Sequence, residues 1–395
     1  MLDSQHNRRA ISSVVSKRML KLPVNLTAET FLKRYWQKQP LFMPGALNRV
    51  RPSITRNELG WLATLEDVES RLVFVERSNN LCRYRAETGP FEPEYLQDLP
   101  KRDWTLLVHD VEKHLPAMRA LFQYVPFIPD WRIDDLMVSF AAPGGGVGPH
   151  KDNYDVFLCQ GIGVRNWHFT IDDVIADPDA SDELALLSEF TSEANVDTAE
   201  GDVLYVPPGA PHWGTARRAC MTYSIGMRAP QVSDFSSALN RSIPNEDDFY
   251  GDPELDIGEA RPGYISSASA KRVSLLLGLS TSREDEVTEA LGRFATMAKD
   301  WLKPEGANAE ETEGMLGVLQ NGGRLHVHGM SQIAFDDSKL YVNGSSMVLP
   351  HNSAALIEEI CADRSLAHSI PTDVGQQNMI RWMLRHGTFE IPETS

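Results

Sequence analysis

The sequence has few cysteines, and none of them are paired at a metal-binding spacing. The chain has 395 residues and four cysteines, which are scattered along it at Cys82, Cys159, Cys220 and Cys361. The absence of a CxxC pair excludes a thiolate zinc site and indicates a reduced, intracellular protein. No apolar run is long enough to span a membrane, and the first twenty residues lack the apolar core of a secretory signal. These absences together predict a cytoplasmic location.

Basic residues are also scarce relative to acidic ones. The chain has 38 Lys and Arg against 55 Asp and Glu, which gives a formal net charge of −17 at pH 7. This balance argues against direct nucleic-acid binding, because surfaces that bind nucleic acid are normally basic. It suits a basic partner, although most acidic proteins are simply soluble ones. Hydrophobic residues make up 42% of the chain, and its length predicts two or three domains.

Short strand-like segments dominate the middle of the chain. They are separated by Gly/Pro turns such as PGGGVGP and GIG, and they lie at Leu136–Ala141, Asp155–Gln160, Arg165–Ile171 and Cys220–Met227. Many short strands without intervening helices predict an all-β sandwich or barrel, most simply a jelly roll.

Helical patterns flank this region on both sides. Amphipathic helices are predicted at 27–36 and 56–65 before it, and at 232–242 and 280–302 after it. The polar stretch KPEGANAEETEG is interpreted as a linker to a last module of strands and helices. That module has the element order of a winged-helix-like domain.

The strongest chemical signal is the tripeptide His150-Lys151-Asp152, which is followed later in the chain by His212. Alternate residues of a strand point to the same face, so His150 and Asp152 at a strand edge can bind one ion. His212 follows a Gly/Pro turn after a short strand and can complete the set. Two histidines and one carboxylate with open coordination positions are typical of non-haem iron(II) oxygenases. A bare H-x-D is common by chance, and the flanking turns give it weight.

Three segments resemble the bacterial JmjC ribosomal oxygenases of the cupin-4 superfamily. They are FLKRYWQKQPLFMPGA, DWRIDDLMVSFAAPGGGVGPHKDNYDVFLCQG and GDVLYVPPGAPHWG. The resemblance implies an α+β protein whose double-stranded β-helix (the JmjC/cupin jelly roll) precedes a helical dimerisation region and a winged-helix-like domain. The expected divisions are a tail at 1–20, the catalytic domain at 21–230, the helical region at 231–305 and the last domain at 306–395.

The resemblance also implies an activity. Members of the family use iron(II), 2-oxoglutarate and dioxygen to hydroxylate an arginine of a large-subunit ribosomal protein, and the relatives in eukaryotes act on histidine. We therefore expect a homodimeric enzyme with a basic ribosomal protein as substrate. His150, Asp152 and His212 would be its metal ligands and catalytic centre.

Arg165 is the predicted partner of the distal carboxylate of 2-oxoglutarate. A guanidinium group matches a carboxylate with two parallel hydrogen bonds, and the resemblance points to the same position. Ser139 is a plausible second contact, supported mainly by the resemblance. The alternative without a function is an exposed strand arginine for Arg165 and an ordinary polar residue inside a barrel for Ser139.

Strand parity extends the prediction to the substrate. If Ser139 faces the cavity, Asp135 shares that face, whereas Asp134 points away. An inward carboxylate suits a guanidinium substrate, and Ser224 on the last strand can also point inward. For Asp135, a role in a helix cap or a surface salt bridge is an equally weighted alternative.

Other readings stay open at this point. The same cofactors could serve histidyl or asparaginyl hydroxylation or lysine demethylation, and a cupin isomerase or a non-oxygenase metal-binding cupin would not use 2-oxoglutarate. A nucleic-acid-binding regulator is a third class, which the acidity of the chain disfavours. His168, His326 and His328 are interpreted as structural, because no carboxylate or cysteine completes a metal site beside them.

Overall fold

The computed structural model describes most of the chain, and it divides into two compact units. The described residues are 19–23, 25–78, 81–171, 186–187, 191–192, 194–239, 245–279, 284–367 and 371–392. The first unit contains the residues up to Phe127 together with Ile133–Arg228 and Pro253–Leu255. The second unit contains the others, Ile128–Arg132, Ala229–Asp252 and the residues from Asp256 onward. Most of the predicted tail at 1–20 lies outside the described residues.

The first unit is built mainly from antiparallel strands. They are β1 Leu41–Met43, β2 Ser70–Ser78, β3 Leu81–Thr88, β4 Trp104–Val108, β5 Ile133–Ala141, β6 Val156–Gln160, β7 Val164–Phe169, β8 Ala194–Ala199, β9 Val203–Val206, β10 His212–Ala216 and β11 Cys220–Met227. A large sheet has the order β1-β9-β6-β11-β5-β4-β2-β3, and a smaller one has the order β10-β7-β8. All the strand pairs in both sheets are antiparallel.

The two sheets share a hydrophobic core. Trp167 of the small sheet packs in one cluster with side chains of the large sheet, Val156, Leu158, Leu204 and Val206. These side chains alternate along their strands, so the opposite residues of each strand face away from this core. Burying each large apolar side chain contributes roughly 1.5–3 kcal/mol to folding. The core therefore holds the two sheets at a fixed separation.

Short helices accompany the strands of this unit. They are α1 Ala28–Arg34, α2 Arg56–Leu62, α3 Pro93–Gln97 and α4 Val111–His114, with a 3-10 helix at Pro116–Tyr124. The Thr27 hydroxyl accepts the Thr30 amide at 3.2 Å and caps α1. Thr55 and Glu58 form a reciprocal capping box at the start of α2. Both helices were predicted, and both end earlier than the apolar pattern indicated.

The second unit mixes helices and small sheets. Its elements are α5 Val232–Ala238, α6 Ser267–Leu276, α7 Glu284–Thr296, α8 Ala309–Gln320, β12 Leu325–Val327, β13 Ile333–Phe335, β14 Lys339–Val342, β15 Ser345–Val348, α9 Ala354–Asp363, β16 Ser365–Leu366, α10 Val374–Arg385 and β17 Phe389–Glu390, with 3-10 helices at Asp130–Arg132, Ile257–Glu259 and Asp300–Leu302. The sheet orders are β16-β12-β17 and β13-β14-β15. No helix in the described ranges is long and apolar enough to cross a membrane.

The predicted linker at 303–314 was wrong in its second half. Helix α8 begins there, because the Asn308 side chain accepts backbone N–H groups while Glu311 reaches back to the Asn308 amide. The helix also buries Leu316 and Leu319 in the core of this unit. Helix α6 was not predicted, although Ser266 caps it through the Ser269 amide. A weak apolar pattern concealed both helices.

Candidate active site

Three side chains, two from one loop and one from the start of a strand, converge on one point. His150 and Asp152 lie between β5 and β6, and His212 begins β10. His150 Nε2 lies 3.9 Å from one Asp152 carboxylate oxygen, and His212 Nε2 lies 3.6 Å from the other. The ligand atoms all lie within 4.8 Å of one another. In the part of the chain that the structure describes, no other cluster of His, Cys, Asp or Glu has this geometry.

Backbone carbonyl groups orient the two histidine rings. The Nδ1 atom of His150 lies 2.9 Å from the Gly148 carbonyl oxygen, and that of His212 lies 3.1 Å from the Ala210 carbonyl oxygen. A carbonyl accepts a hydrogen bond, so each Nδ1 carries the hydrogen and each Nε2 keeps a lone pair for a metal. Reciprocal backbone hydrogen bonds between His150 and His212, at 3.1 and 2.9 Å, fix their spacing.

Burial keeps His212 uncharged. Only 2% of its side chain is exposed, and desolvation together with the neighbouring His150 lowers the pKa of His212 to about 4, although Asp152 opposes the shift. A metal ligand must be deprotonated at Nε2. His212 is therefore ready to bind a metal ion at neutral pH without first losing a proton.

A glycine lets the loop approach the site closely. Gly148 has a φ of +86°, and a Cβ atom there would lie 2.6 Å from the Leu186 side chain. Only glycine combines that backbone conformation with that space. The H-x-D segment itself is a loop rather than the predicted strand edge, since His150 forms only isolated bridges with His212 and Leu186.

Arg165 is buried on β7 and has unsatisfied nitrogen atoms. Its Nε and Nη2 atoms are buried and have no hydrogen-bond partner among the described residues. Its Cζ atom lies 5.4 Å from the centroid of the Trp167 ring, which is itself 6.0 Å from the His212 ring. A buried guanidinium without a partner is costly, and a carboxylate in two-point contact would remove that cost. The residue therefore fits an anionic ligand in the barrel.

Ser139 and Ser224 lie on two adjacent strands of the large sheet. Ser139 pairs with Thr222, and Ser224 pairs with Met137, so all four side chains share one face. Both serines are almost fully buried. Leu158 pairs with Ser224 from the other side and belongs to the core shared with Trp167. This face is thus the inner one, as the parity argument predicted.

The two neighbouring aspartates have different surroundings. Half of the Asp134 side chain is exposed, and it lies 3.5 Å from Arg228 Nε. Asp135 is only 15% exposed and lies 3.1 Å from His109 Nδ1. The register of β5 and β11 shifts between Gly226 and Met227, which pair with Asp135 and Ile133. Asp134 is therefore the extra residue of a β-bulge.

Comparison with known proteins identifies the family that the sequence motifs resemble. A profile for the JmjC domain matches residues 120–235. The Escherichia coli protein described as ribosomal protein uL16 3-hydroxylase is 31% identical over 330 residues, which cover 82% of this chain and 86% of that protein. The chain belongs to the JmjC ribosomal oxygenase family. A Haemophilus influenzae member, described as a probable ribosomal oxygenase, is 32% identical over 269 residues, 65% of this chain and 64% of that protein.

Solved structures of a family member extend over nearly the whole chain. An X-ray structure of Escherichia coli YcfD has a TM-score of 0.72 at 28% identity and covers 94% of this chain and 99% of that one. A second structure of that ribosomal oxygenase, in complex with cobalt and 2-oxoglutarate, has a TM-score of 0.70 at 27% identity with the same coverage. The predicted JmjC/cupin fold in a mixed α and β protein is confirmed.

Sequence reasoning missed the residues that surround Asp135. His109 and Glu112 follow strand β4 in the segment VHDVEKH, and the Glu112 carboxylate accepts the Leu136 amide at 2.9 Å. The clustering of ionisable side chains directly after a buried strand was the available signal. His168 contacts Ser192 at 2.9 Å. His326 and His328 belong to no metal cluster among the described residues.

Proposed function

We propose that this protein is an iron(II)- and 2-oxoglutarate-dependent dioxygenase that hydroxylates an arginine of the ribosomal protein uL16. The observation that carries the proposal is the pairing of the His150, Asp152 and His212 ligand set with the unsatisfied Arg165 guanidinium in one barrel. The relative named as a uL16 3-hydroxylase supports the substrate, and the YcfD complex with cobalt and 2-oxoglutarate supports the cofactors.

The residues of this chain divide the work of binding. His150, Asp152 and His212 would hold the metal and leave coordination positions open, and Arg165 with Ser139 would bind 2-oxoglutarate. Bound iron(II), with 2-oxoglutarate and dioxygen, supplies the oxidation that puts a hydroxyl group on an unactivated carbon. The buried Trp167 and Leu158 keep bulk water from the inner face of the barrel.

The acidic side chain near the cavity fits a cationic substrate. Asp135 lies on the inner face two residues from Met137, which pairs with Ser224. A carboxylate that is 15% exposed forms a stronger charged hydrogen bond with a guanidinium than a fully solvated one does. Asp135 and Ser224 are therefore the proposed substrate-binding residues. Histidyl or asparaginyl hydroxylation is the nearest alternative within the same chemistry.

Incubation with purified uL16, iron(II) and 2-oxoglutarate tests the proposal. We expect peptide mapping by mass spectrometry to show one added oxygen atom on one arginine, and no addition when 2-oxoglutarate is left out. Oxygen added to a histidine or asparagine instead would support the alternative hydroxylase. No turnover of 2-oxoglutarate under any condition would favour a non-oxygenase cupin.

We also propose an assembly and a location for the protein. Apart from Pro253–Leu255, the expected dimerisation region at 231–305 and the winged-helix-like domain at 306–395 fall in the second unit. A homodimer through the first of these, a structural or ribosome-docking role for the second, and a cytoplasmic location suit an enzyme that acts on a ribosomal protein. The net charge of −17 supports a basic protein partner over direct nucleic-acid binding.

A further inference from the structure

The side chain of Asp135 is held from one side by the segment that follows β4. Its Oδ2 atom lies 3.1 Å from His109 Nδ1 and 3.5 Å from the Asp110 amide nitrogen. A carboxylate can only accept, so the His109 Nδ1 atom is the donor. No described residue donates a hydrogen bond to the other oxygen, Oδ1. The carboxylate thus has one held oxygen and one open oxygen.

A glycine lies close to the other oxygen of Asp135. Gly226 on β11 pairs with Asp135 in the sheet, and a Cβ atom at this glycine would lie 2.9 Å from Asp135 Oδ1. This distance is shorter than ordinary carbon–oxygen contacts, so a larger residue would push the carboxylate aside. The backbone of Gly226 does not have a positive φ. The space for Oδ1, rather than the backbone conformation, is therefore what glycine provides here.

The segment that carries His109 is itself fixed to β5. Strand β4 pairs with β5 as far as Val108 and Val138, and beyond that point the Glu112 carboxylate accepts the Leu136 amide. An ion pair between Asp110 and Lys113, both buried, anchors the same turn. His109 and Asp135 are consequently held by one rigid framework, and their contact does not depend on a mobile loop.

We infer that His109 is a positioning residue that, together with Gly226, fixes Asp135 in the one orientation that selects a guanidinium substrate. This inference rests on the proposed function, since it assumes that Asp135 binds the target arginine. His109 holds Oδ2, and Gly226 leaves Oδ1 open to the cavity beside Ser224. A carboxylate fixed before binding loses less side-chain entropy when the guanidinium arrives. Arginine should then be favoured over lysine, because the planar guanidinium matches an acceptor of fixed direction better than a freely rotating ammonium group does.

Steady-state kinetics with purified uL16 test the inference. His109→Ala should raise the KM for uL16 about tenfold, because a hydrogen bond to a charged group is lost. His109→Gln keeps an N–H donor and should recover most of that loss. Gly226→Ala should raise the same KM by displacing Asp135. The KM for 2-oxoglutarate and the affinity for iron(II) should stay unchanged in all three variants, which a general disruption of the fold would not allow.

Each result has a distinct meaning. An unchanged KM for uL16 in both His109→Ala and Gly226→Ala would overturn the positioning role while leaving the proposed function intact. Equal losses in His109→Ala and His109→Gln would also overturn it, since the donor would then be irrelevant. Wild-type protein that turns over 2-oxoglutarate but leaves every arginine of uL16 unmodified would contradict the proposed substrate and the inference together. If His109→Ala does not fold, the KM for uL16 of the other two variants tests the inference. It should be near the wild-type value for His109→Gln and raised for Gly226→Ala.

Discussion

At the scale of single residues, the grouping of His150, Asp152 and His212 was the feature of the candidate site that the sequence predicted best. His150, Asp152 and His212 carry a motif whose residue types have few other uses together, and the structure brings all three to one point. The burial of Arg165 could not be read from its neighbours, because strand residues of either face can be charged. Its significance comes from the two buried nitrogens without a partner among the described residues.

Alanine at His150, Asp152 or His212 is expected to abolish production of succinate from 2-oxoglutarate. Each residue would supply one of only three protein bonds to the metal, and a site with two ligands would hold iron(II) less firmly. Succinate release by each purified variant is the measurement, with circular dichroism to show that the fold persists. Full turnover in any one variant would remove that residue from the ligand set.

Arg165→Ala is expected to raise the concentration of 2-oxoglutarate needed for half-maximal activity at least about tenfold. The lost charged pair is worth roughly 1.5–3 kcal/mol, and iron(II) binding should change little. Arg165→Lys is the matched control, since it keeps the charge without the planar guanidinium group. Its 2-oxoglutarate requirement should lie between those of the wild type and Arg165→Ala. Titrations of 2-oxoglutarate against activity give the comparison. Because Arg228 already contacts Asp134, we do not expect it to replace Arg165.

Asp135→Ala is expected to lose hydroxylation of the arginine substrate while it keeps metal and 2-oxoglutarate binding. Removing one partner of a buried charged pair costs on the order of 3–5 kcal/mol. Asp134→Ala is the matched control, and its effect on hydroxylation should be small because half of that side chain is exposed. Hydroxylation of uL16 by the two variants shows which of the two aspartates on β5 contacts the substrate. Loss of hydroxylation in Asp134→Ala alone would contradict the prediction, because the substrate would then contact Asp134 instead of Asp135.

At the scale of elements, strands of the barrel were predicted more reliably than helices of the second unit. The alternating apolar pattern of Cys220–Met227 gave that strand its full length, whereas α8 lay hidden in a polar stretch. Strand parity also has a limit that no periodicity reveals. The bulge at Asp134 adds one residue to β5, so parity counted from Ser139 holds as far as Asp135 and fails for the residues before it.

The turn after β4 should make stability depend on pH. Burial, the largest cause, raises the pKa of Glu112 to about 7, while Lys113 opposes the shift. The folded state therefore keeps a proton that the unfolded chain releases near pH 4.5. Stability should fall as the pH rises from the unfolded pKa to the folded one, and then level off. Glu112→Gln should remove this slope, because it cannot ionise and still accepts the Leu136 amide.

Thermal melting across that pH range measures the effect. We expect the wild-type protein to lose stability between about pH 4.5 and pH 7 relative to Glu112→Gln. If the difference in melting temperature between the two proteins is the same at every pH, Glu112 does not keep its proton in the folded state.

At the scale of the whole molecule, acidity and composition predicted the class of partner and little about architecture. The grouping of the chain into two compact units depends on long-range packing that no local pattern encodes. Trp131 illustrates this, since it packs with Val232 and Leu291 in a cluster far from its neighbours in sequence. Val287 and Leu291, two apolar residues of the expected dimerisation region, are buried within their own chain. They are not available to a second copy.

A homodimer therefore has to use other apolar side chains of the helical region. Among the described residues of that segment, three large apolar side chains are more than half exposed, Leu275, Met297 and Trp301, at 79%, 55% and 57%. Covering such side chains on symmetric partners is a common source of dimer stability. Leu275→Glu and Trp301→Glu should each shift the protein toward monomer, since the interface would bury a charge. Val374→Glu, at a site 68% exposed outside that segment, should leave the assembly unchanged. Light scattering over a range of concentrations reports the mass, and a wild-type monomer throughout would contradict the dimer.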